Sequence, residues 1–446
     1  MKTLYNTSLT LLLAAGGLLL AAQETPKALT TDVNGANLAP FSRPVMLYDD
    51  GNTAVHFYGL IEATLGYATH QSSTGNTTFG YQVAWFSGNR YGFDIDHALG
   101  FGDQIGLPDL KVISKLEGEF ELPTGGFDTD NTIFNRDCWV GFYSDTLGKL
   151  TFGRQNTLTR DFTQTWGDAY GTADVVLREG GYTNVNNFKQ FIFYSGDPGG
   201  TRNNSSIVWK KKFGDTIVAG LAYGFSYAGG GGSADPGQGG EVPGTPSQGQ
   251  SEAASIAFNH LGIGSGFLSF NVNYDRGKES NTNANLNQSV LVGGDYIIGM
   301  FRVNGGFVYF TADQGLNGTA TQRKDKSWTA SVDLSVTKHT TVAVGYVQMA
   351  GRNAGTNASG VVLNPMFGNT SGVTDATEVN GAKGTAFGSI MYSPDRNVDL
   401  YIVGDYMKAH GSWVVNDALG NTGGPYGVGH TYSTVTEIAT GIRFKF

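Results

Sequence analysis

The 446-residue sequence has little cysteine and little charge. Its single cysteine, Cys138, excludes a disulfide scaffold and leaves too few thiolates for the usual structural zinc site. Charged residues make up 15% of the chain, and the net charge is −9 at pH 7. The longest basic stretch is Lys210-Lys211-Lys212, which we interpret as a solvated strand end. This balance argues against nucleic acid as a partner, because phosphate binding needs clustered Lys and Arg.

The sequence beyond residue 22 also lacks any apolar run long enough to cross a bilayer as a helix. Residues 1–22 combine Lys2, an apolar run from Leu9 to Leu20 and the small pair Ala21-Ala22. This pattern predicts a secretory signal peptide that is removed from the mature protein. A membrane-anchor helix is the alternative, although the run is short for one.

Glycine and aromatic residues are abundant instead. The chain contains 66 Gly, 27 Phe and 21 Tyr, and 40% of its residues are hydrophobic. This apolar content is too high for a disordered chain, so a sizeable surface must be buried. The length alone suggests two or three soluble domains, but closed β architectures often run longer as one domain.

Apolar and polar residues alternate with a period of two along much of the chain. Between residues 55 and 67 the odd positions are apolar or small, whereas the even ones include His56, Glu62 and Thr64. Residues 328–337 separate in the same way. A helix would mix the two sets on every face, whereas a strand places successive side chains on opposite faces. The pattern therefore predicts β-strands.

About sixteen such segments follow one another, joined by connections that alternate between short and long. The predicted strands are 54–68, 82–97, 109–122, 131–144, 148–154, 203–213, 216–228, 251–261, 265–277, 288–299, 301–312, 325–337, 340–351, 382–393, 398–409 and 431–446. Long strands, tight turns at one end and long loops at the other are typical of a transmembrane antiparallel β-barrel. A soluble β-sandwich or propeller is the alternative, but strands there are usually about five or six residues long.

Several stretches resemble the Gram-negative general porin family. Residues 134–142 and 150–155 are similar to the family's most specific stretch, and Asn89-Arg90-Tyr91-Gly92-Phe93 resembles its second-strand motif. The chain also ends on an aromatic residue, Phe446, as family members do. Each stretch alone is weak evidence for the family, but the order and spacing of these stretches across residues 54–446 are specific to it.

The resemblance implies an all-β fold, a barrel of about sixteen strands in the outer membrane of a Gram-negative bacterium. It implies a homotrimer surrounded by outer-membrane lipid, with Phe446 as the C-terminal assembly signal and with neither cofactor nor enzymatic activity. Its function would be passive diffusion of ions and small hydrophilic solutes. The domains would then be the signal peptide 1–22, an N-terminal extension 23–53 and the barrel 54–446.

The resemblance also implies that the third loop, about residues 155–202, folds into the lumen and narrows it. Its aromatic residues, Trp166, Tyr170 and Tyr182, support this expectation because so many aromatics are costly on a water-exposed surface.

Two opposed sets of charges are candidates for a constriction. Arg90 and Lys115 lie on the polar faces of their strands by parity, and Arg136 faces the lumen by correspondence to the family, since parity at 134–142 does not settle its side. Such ring charges would create a transverse field across the narrow section of the pore. The loop acids expected to face this basic wall are Asp161, Asp168 and Asp174.

Further charges are expected to line the lumen with less specific support. They are Glu62, Glu117, Arg154 and Glu179, of which Arg154 is the least certain because it sits at a strand end. Acidic lumen residues favour cations and the basic wall favours anions, so the sequence leaves the ion preference of the channel open.

Other functions remain as alternatives at this point. A solute-selective channel, for sugars as an example, could use the loop aromatics as a stacking track. A barrel hydrolase would need a Ser-His pair on the outer face, which the sequence does not suggest. A surface barrel without conductance is a further alternative. The seven histidines show no metal-ligand spacing, so no metal site is predicted.

Overall fold

The computed structural model describes residues 45–69, 77–82, 88–162, 194, 202–225, 250–278, 286–313, 322–356, 375–411 and 433–446. Eighteen strands form one antiparallel sheet. They are β1 (Val45–Asp49), β2 (Thr53–Ala68), β3 (Thr78–Gln82), β4 (Asn89–Ala98), β5 (Lys111–Phe120), β6 (Cys138–Ser144), β7 (Gly148–Asn156), β8 (Arg202–Phe213), β9 (Ile217–Gly224), β10 (Ser251–Ile263), β11 (Gly266–Lys278), β12 (Leu286–Ile298), β13 (Phe301–Asp313), β14 (Gln322–Thr337), β15 (Thr340–Thr356), β16 (Asp375–Asp395), β17 (Val398–Gly411) and β18 (Thr434–Lys445).

Helical structure among these residues is confined to two short pieces, a 3₁₀ turn at Gly102–Ile105 and an α-helix at Leu158–Phe162. Within the described ranges, neither has the length and apolar character that a membrane-crossing helix requires.

The sheet closes into a barrel through β2. One edge of β2 pairs with β18, and the other edge pairs first with β4 and then with β3. Strands β3 and β4 therefore share one position in the barrel, and β1 lies on the β18 edge of β2. Sixteen strand positions remain around the barrel, as the sequence predicts. Closure gives each of the sixteen positions a hydrogen-bonded neighbour on both sides, which the hydrocarbon of a bilayer demands.

The two faces of the barrel wall differ in the way expected for a membrane barrel. On β14, the outward side chains of Trp328, Val332 and Val336 are 36–43% exposed, whereas inward Arg323 and Asp325 are fully buried. An exposed apolar face with a polar interior is the inverse of a soluble sandwich. The sandwich alternative is therefore wrong.

Short turns join the strands at one end of the barrel, as predicted. Gly214, Gly264 and Gly299 occupy the β8–β9, β10–β11 and β12–β13 turns with φ angles of 60°, 60° and 56°. Residues with a Cβ adopt this left-handed conformation rarely, so glycine is favoured in these turns.

The last residue completes the closure. The N–H of Gly59 donates to the carbonyl of Phe446 at 2.9 Å, and the N–H of Phe446 donates back to Gly59 at 3.0 Å. The Phe446 ring lies over Gly59, where an added Cβ would approach the ring to 2.5 Å. Glycine is required at position 59 because only it permits this close approach.

The end of the predicted N-terminal extension joins the sheet. Val45–Asp49 pairs with residues 54–57 of β2. The turn between them is held by the Asp50 carboxylate, which accepts the backbone N–H of Thr53 at 2.7 Å and of Asn52 at 2.9 Å. These hydrogen bonds lower the pKa of Asp50. The extension is thus partly a strand rather than a segment separate from the barrel.

Two predicted strands differ from the observed ones in more than their bounds. The segment predicted at 82–97 corresponds to β3 and β4, with residues 83–87 outside the described ranges. The segment predicted at 131–144 becomes a regular strand only at Cys138. Just before it, the N–H of Arg136 donates to the carbonyl of Glu117 at 3.1 Å, and the N–H of Glu117 donates to Asp137 at 2.7 Å. Arg136 and Asp137 therefore both lie opposite Glu117, which is the two-against-one pairing of a β-bulge.

Candidate functional site

Three basic side chains of the inner wall converge on the carboxylate of Glu117. Arg136 Nε lies 2.5 Å from Oε1, Lys115 Nζ 3.8 Å from Oε2 and Arg90 Nη1 4.0 Å from Oε1. The Tyr58 hydroxyl donates to Oε2 at 2.8 Å. Glu117 therefore occupies the centre of the predicted basic group, which we name the Glu117 cluster.

The register of two strands and one bulge brings these residues together. Arg90 on β4 lies opposite Glu119 on β5, which also forms an ion pair with Arg136. On β6, Cys138 shares the outward face with the half-exposed Val140. Strict alternation would place Arg136 on that outer face as well. The extra residue in the bulge reverses the alternation and turns Arg136 inward.

The wall around this cluster is mixed in charge rather than basic. Besides Glu117 and Glu119, Asp137 lies 3.6 Å from Lys115 Nζ. The basic side chains that we expected to face acids on the loop therefore share their own wall with carboxylates, of which Glu117 was among the expected lumen residues. Carboxylates on the same strands already neutralise much of its positive charge, because buried cations are stable only when paired.

The loop acid Asp161 lies on the short helix Leu158–Phe162, which packs against the inner wall. Leu158 and Phe162 form an apolar cluster with Val208, Val218 and Ala257 of strands β8 to β10. This packing holds the helix inside the barrel, where Asp161 forms an ion pair with Lys210 and accepts a hydrogen bond from Asn156 at 2.9 Å.

Lysines and acids face each other across a pocket at this point of the lumen. Its lining residues are Lys115, Asp137, Trp139, Lys149, Gln155, Asn156, Asp161 and Lys210. Lys149 and Lys210 are paired across β7 and β8, and Lys149 Nζ lies 4.3 Å from the centre of the Trp139 ring. Cation–π contact and ion pairing both favour such partly desolvated ammonium groups.

Sequence reasoning missed two of these lysines. The interpretation of Lys210 as part of a solvated strand end is wrong, since Lys210 is buried and paired with Asp161. The alternation along β8 could have identified Lys210, because it lies on the same buried face as Val208 and Ser206.

Tyr194 is a third residue that the sequence did not indicate. It belongs to the β7–β8 connection, and its side chain is fully buried against the inner wall. Its ring packs edge-on against Phe310 at 5.4 Å, and its hydroxyl lies 2.9 Å from Asp325 and 2.8 Å from Ser327. The two described pieces of this connection, residues 157–162 and Tyr194, thus contact different parts of the inner wall.

The remaining loop candidates cannot be assigned to the site. Asp168, Asp174 and Glu179 lie outside the described residues, as do the aromatic residues Trp166, Tyr170 and Tyr182.

Two of the less specific candidates lie elsewhere. Arg154 is opposite Cys138 on the outward side of β7, where it donates to the Asn135 carbonyl at 2.8 Å and to Asn204. Its predicted place in the lumen is therefore wrong. Glu62 is on the inner wall at the β18–β2 seam, where it is fully buried 3.4 Å from Arg443.

Among the described residues, no group of three or more His, Cys, Asp or Glu side chains is arranged to hold a metal ion.

Comparison with known proteins identifies the family. The family model described as Gram-negative porin matches residues 8–365. The chain belongs to the Gram-negative porin family. As a member, it is an outer-membrane β-barrel protein, and proteins with this family and fold are channels.

One curated relative is an outer membrane porin protein of Bordetella pertussis, 25% identical over 138 residues. The match covers 28% of this chain and only 34% of the Bordetella protein's length.

Solved porin structures share the fold. The anion-selective porin from Comamonas acidovorans superimposes with a TM-score of 0.61 at 16% identity, covering 88% of this chain and all of that one. Vibrio cholerae OmpT gives a TM-score of 0.54 at 14% identity, with 90% and 100% coverage. Salmonella typhi OmpF, in complex with daunomycin, gives 0.52 at 14% identity, with the same coverages.

Proposed function

We propose that the protein is a porin that lets ions and small hydrophilic solutes diffuse passively through a water-filled lumen. The carrying observation is the closed barrel with charged side chains on its inner face and apolar ones on its outer face. Such a channel needs no chemical step, so we expect neither catalytic activity nor a bound cofactor.

The Glu117 cluster and the lysine pocket beside Asp161 form the proposed constriction. Their charges lie on neighbouring strands β4 to β8, with Asp161 on the helix against that wall. Charges in a narrow section with low-dielectric walls discriminate between ions. We include in the proposal an inward-folded third loop that brings Asp168, Asp174 and Glu179 towards this wall.

The proposed assembly is a homotrimer in outer-membrane lipid. One Vibrio cholerae OmpT structure with this fold is described as a trimer form. The proposed mature chain lacks residues 1–22, keeps 23–53 as an extension that ends in β1, and uses 54–446 as the barrel. Phe446 is the proposed assembly signal, a role supported by its position at the closure with Gly59.

Single-channel recording in planar bilayers tests the function. The mature protein should produce stepwise ohmic currents in potassium chloride, in groups of three if the trimer is correct. A correctly inserted protein without conductance would support the alternative of a closed surface barrel.

Reversal potentials test the constriction. The double variant Arg90→Ala with Arg136→Ala should move the potential towards cation preference, because two positive charges leave the narrow section. Lys111→Ala is the control, since Lys111 lies on the same wall but is 41% exposed at the end of β5. An unchanged potential in the double variant would remove the constriction from the proposal.

A further inference from the structure

Three cations face outward at the long-loop end of β14 and β15. Lys324 and Lys326 are exposed and alternate with the fully buried inward residues Arg323 and Asp325 on β14. Arg352 on β15 is exposed as well and is paired in register with Lys324. Directly paired residues of neighbouring strands have their side chains on the same face, so all three cations point away from the lumen. We name Lys324, Lys326 and Arg352 the outer basic patch.

The register places like charges opposite each other in this patch. Lys324 lies directly opposite Arg352, for which a Cβ separation of about 5 Å is usual, and Lys326 is the diagonal neighbour of Arg352 at about 7 Å. Like charges in directly opposite positions destabilise a sheet. On β10 and β11, by contrast, the outward Arg276 lies opposite Glu252 and forms an ion pair with it at 3.9 Å. The patch therefore requires an anion that its own strand pair does not supply.

The chain around the patch supplies little negative charge. Among the described residues, no carboxylate forms an ion pair with a member of the patch. The connections that flank these strands, 314–321 and 357–374, contain neither Asp nor Glu. Asp313 on β13 is opposite Gln322, and its two carboxylate oxygens accept hydrogen bonds from Gln322 Nε2 at 3.1 Å and from the N–H of Leu286 at 3.2 Å. These hydrogen bonds hold the Asp313 carboxylate at its own strand end.

The acids of the neighbouring strand β16 come at its start. Asp375 and Glu378 precede Val379, which is paired with Ala354 of β15. Because the two strands are antiparallel, both positions lie on the loop side of Ala354, whereas Arg352 lies on the membrane side of it. Neither acid is therefore in register with the Lys324–Arg352 pair.

Aromatic residues beside and below the patch place it at the membrane surface. The outward side chains of Trp328 and Tyr309 are 40% and 37% exposed, and Tyr309 is paired with Lys326. The Trp328 ring lies 5.3 Å from the ring of Tyr346. Towards the turns, the outward face of β14 continues with aliphatic residues such as Val332. Aromatic belts of membrane barrels lie at the level of the lipid headgroups, so the patch lies at that level as well.

We propose that the outer basic patch binds the phosphate of a lipid headgroup in the outer leaflet of the outer membrane. The inference rests on the proposed function for the orientation, in which the long loops face outward. It goes beyond that function because it assigns a partner to the lipid side of the wall. The planar fork of Arg352 matches two phosphate oxygens, and Lys324 and Lys326 add compact positive charges beside it. The acyl chains of the same lipid lie against the apolar rows below, a contact that free phosphate lacks.

Titration with a phosphorylated lipid tests the patch. The mature protein is folded in a neutral detergent and titrated with lipid A that carries two phosphates, and native mass spectrometry measures the lipid bound to each chain. We expect lipid A without its phosphates to bind at least about tenfold more weakly, because the charge-assisted contacts are lost. Inorganic phosphate at the same concentration should not displace the lipid. Displacement by it would overturn the lipid headgroup as the ligand and assign the patch to a free anion.

Matched variants make the titration specific. The double variant Lys324→Gln with Arg352→Gln should weaken lipid A binding by about tenfold or more. Arg276→Gln is the control, because it removes an outward cation that already has Glu252 as its partner. Lipid A binding by this control should equal that of the wild type. Lys326→Gln should weaken binding several-fold, and this single substitution keeps the test decisive if the double variant fails to assemble.

Thermal unfolding gives a second readout whose sign changes with the lipid. Without lipid A, Arg352→Gln should unfold at a higher temperature than the wild type, because the repulsion from Lys324 is relieved. With saturating lipid A the order should reverse, since the wild type gains more from the bound lipid. A lower unfolding temperature of Arg352→Gln without lipid would show that Arg352 has a partner within the chain, and it would overturn the proposal.

The outcomes separate the two proposals. Absence of ion current from the wild-type protein would overturn the proposed function, whatever the lipid titration shows. Normal ion current with equal lipid A binding by the wild type and the patch variants would overturn the outer basic patch alone. Equal binding of lipid A with and without its phosphates would do the same.

Discussion

Two parts of the same inner wall use polar side chains in opposite ways. On β4, β5 and the bulge before β6, the Glu117 cluster surrounds the Glu117 carboxylate with three cations and a hydrogen bond. On β11 and β14, Asn271, Asn273 and Thr329 are buried neutral side chains whose polar atoms have no hydrogen-bond partner in the described structure. The first pattern stabilises buried charge, whereas the second leaves buried polar groups without hydrogen bonds, which lowers the stability of the fold.

The largest expected effect comes from removing the central charge of the first wall. Glu117→Gln leaves Arg90, Lys115 and Arg136 without their shared anion, and we expect the free energy of unfolding to fall by about 3–5 kcal/mol. Urea unfolding in detergent micelles measures this change, and Glu252→Gln is the control because Glu252 is half-exposed. Equal stability of the two variants would contradict the central role of Glu117.

A smaller loss is expected beside the short helix. Lys210→Met keeps the length of the side chain but removes the partner of buried Asp161. Asp161 retains the hydrogen bond from Asn156, so we expect a loss of about 2 kcal/mol. The same unfolding experiment measures it, with Lys212→Met as control, since the partner of Lys212, Asp215, is fully exposed. A larger loss in the control would show that Lys210 does not secure the helix.

One substitution type made on both walls gives the sharpest contrast. Asn135→Leu removes a carbonyl that accepts the Glu119 N–H at 2.8 Å and an amide that donates to Asp128 at 2.9 Å. We expect a loss of about 1–3 kcal/mol in the free energy of unfolding.

Asn271→Leu should have the smallest effect and the opposite sign. Its amide has no described partner, so an apolar side chain of similar volume should leave stability unchanged or raise it by up to about 1 kcal/mol. Parallel thermal unfolding of the Asn135 and Asn271 variants measures the difference. A similar loss in both would mean that the two walls do not differ as described.

Much of the barrel could be predicted from local patterns. Strands such as β14 were predictable because side chains alternate within about ten residues, and tight turns because Gly214 and Gly299 follow the strands directly. Parity also indicated the inward sides of Arg90 and Lys115. Arg136 was different, because its side depends on a bulge that only the pairing with Glu117 reveals. Tyr194 was not predictable, since its partners Phe310 and Asp325 are distant in the chain.

The sequence by itself determined the alternating strands, the turn glycines and the membership in a porin family, because each depends on neighbouring residues or on short motifs. Tertiary structure decided which side chains meet. Glu62 and Arg443, near opposite ends of the chain, form an ion pair only because the barrel closes between β2 and β18. Asn271, Gly293, Gly306 and Thr329 likewise lie in one row only because register aligns single residues from four strands, and register is set by pairing across the whole sheet.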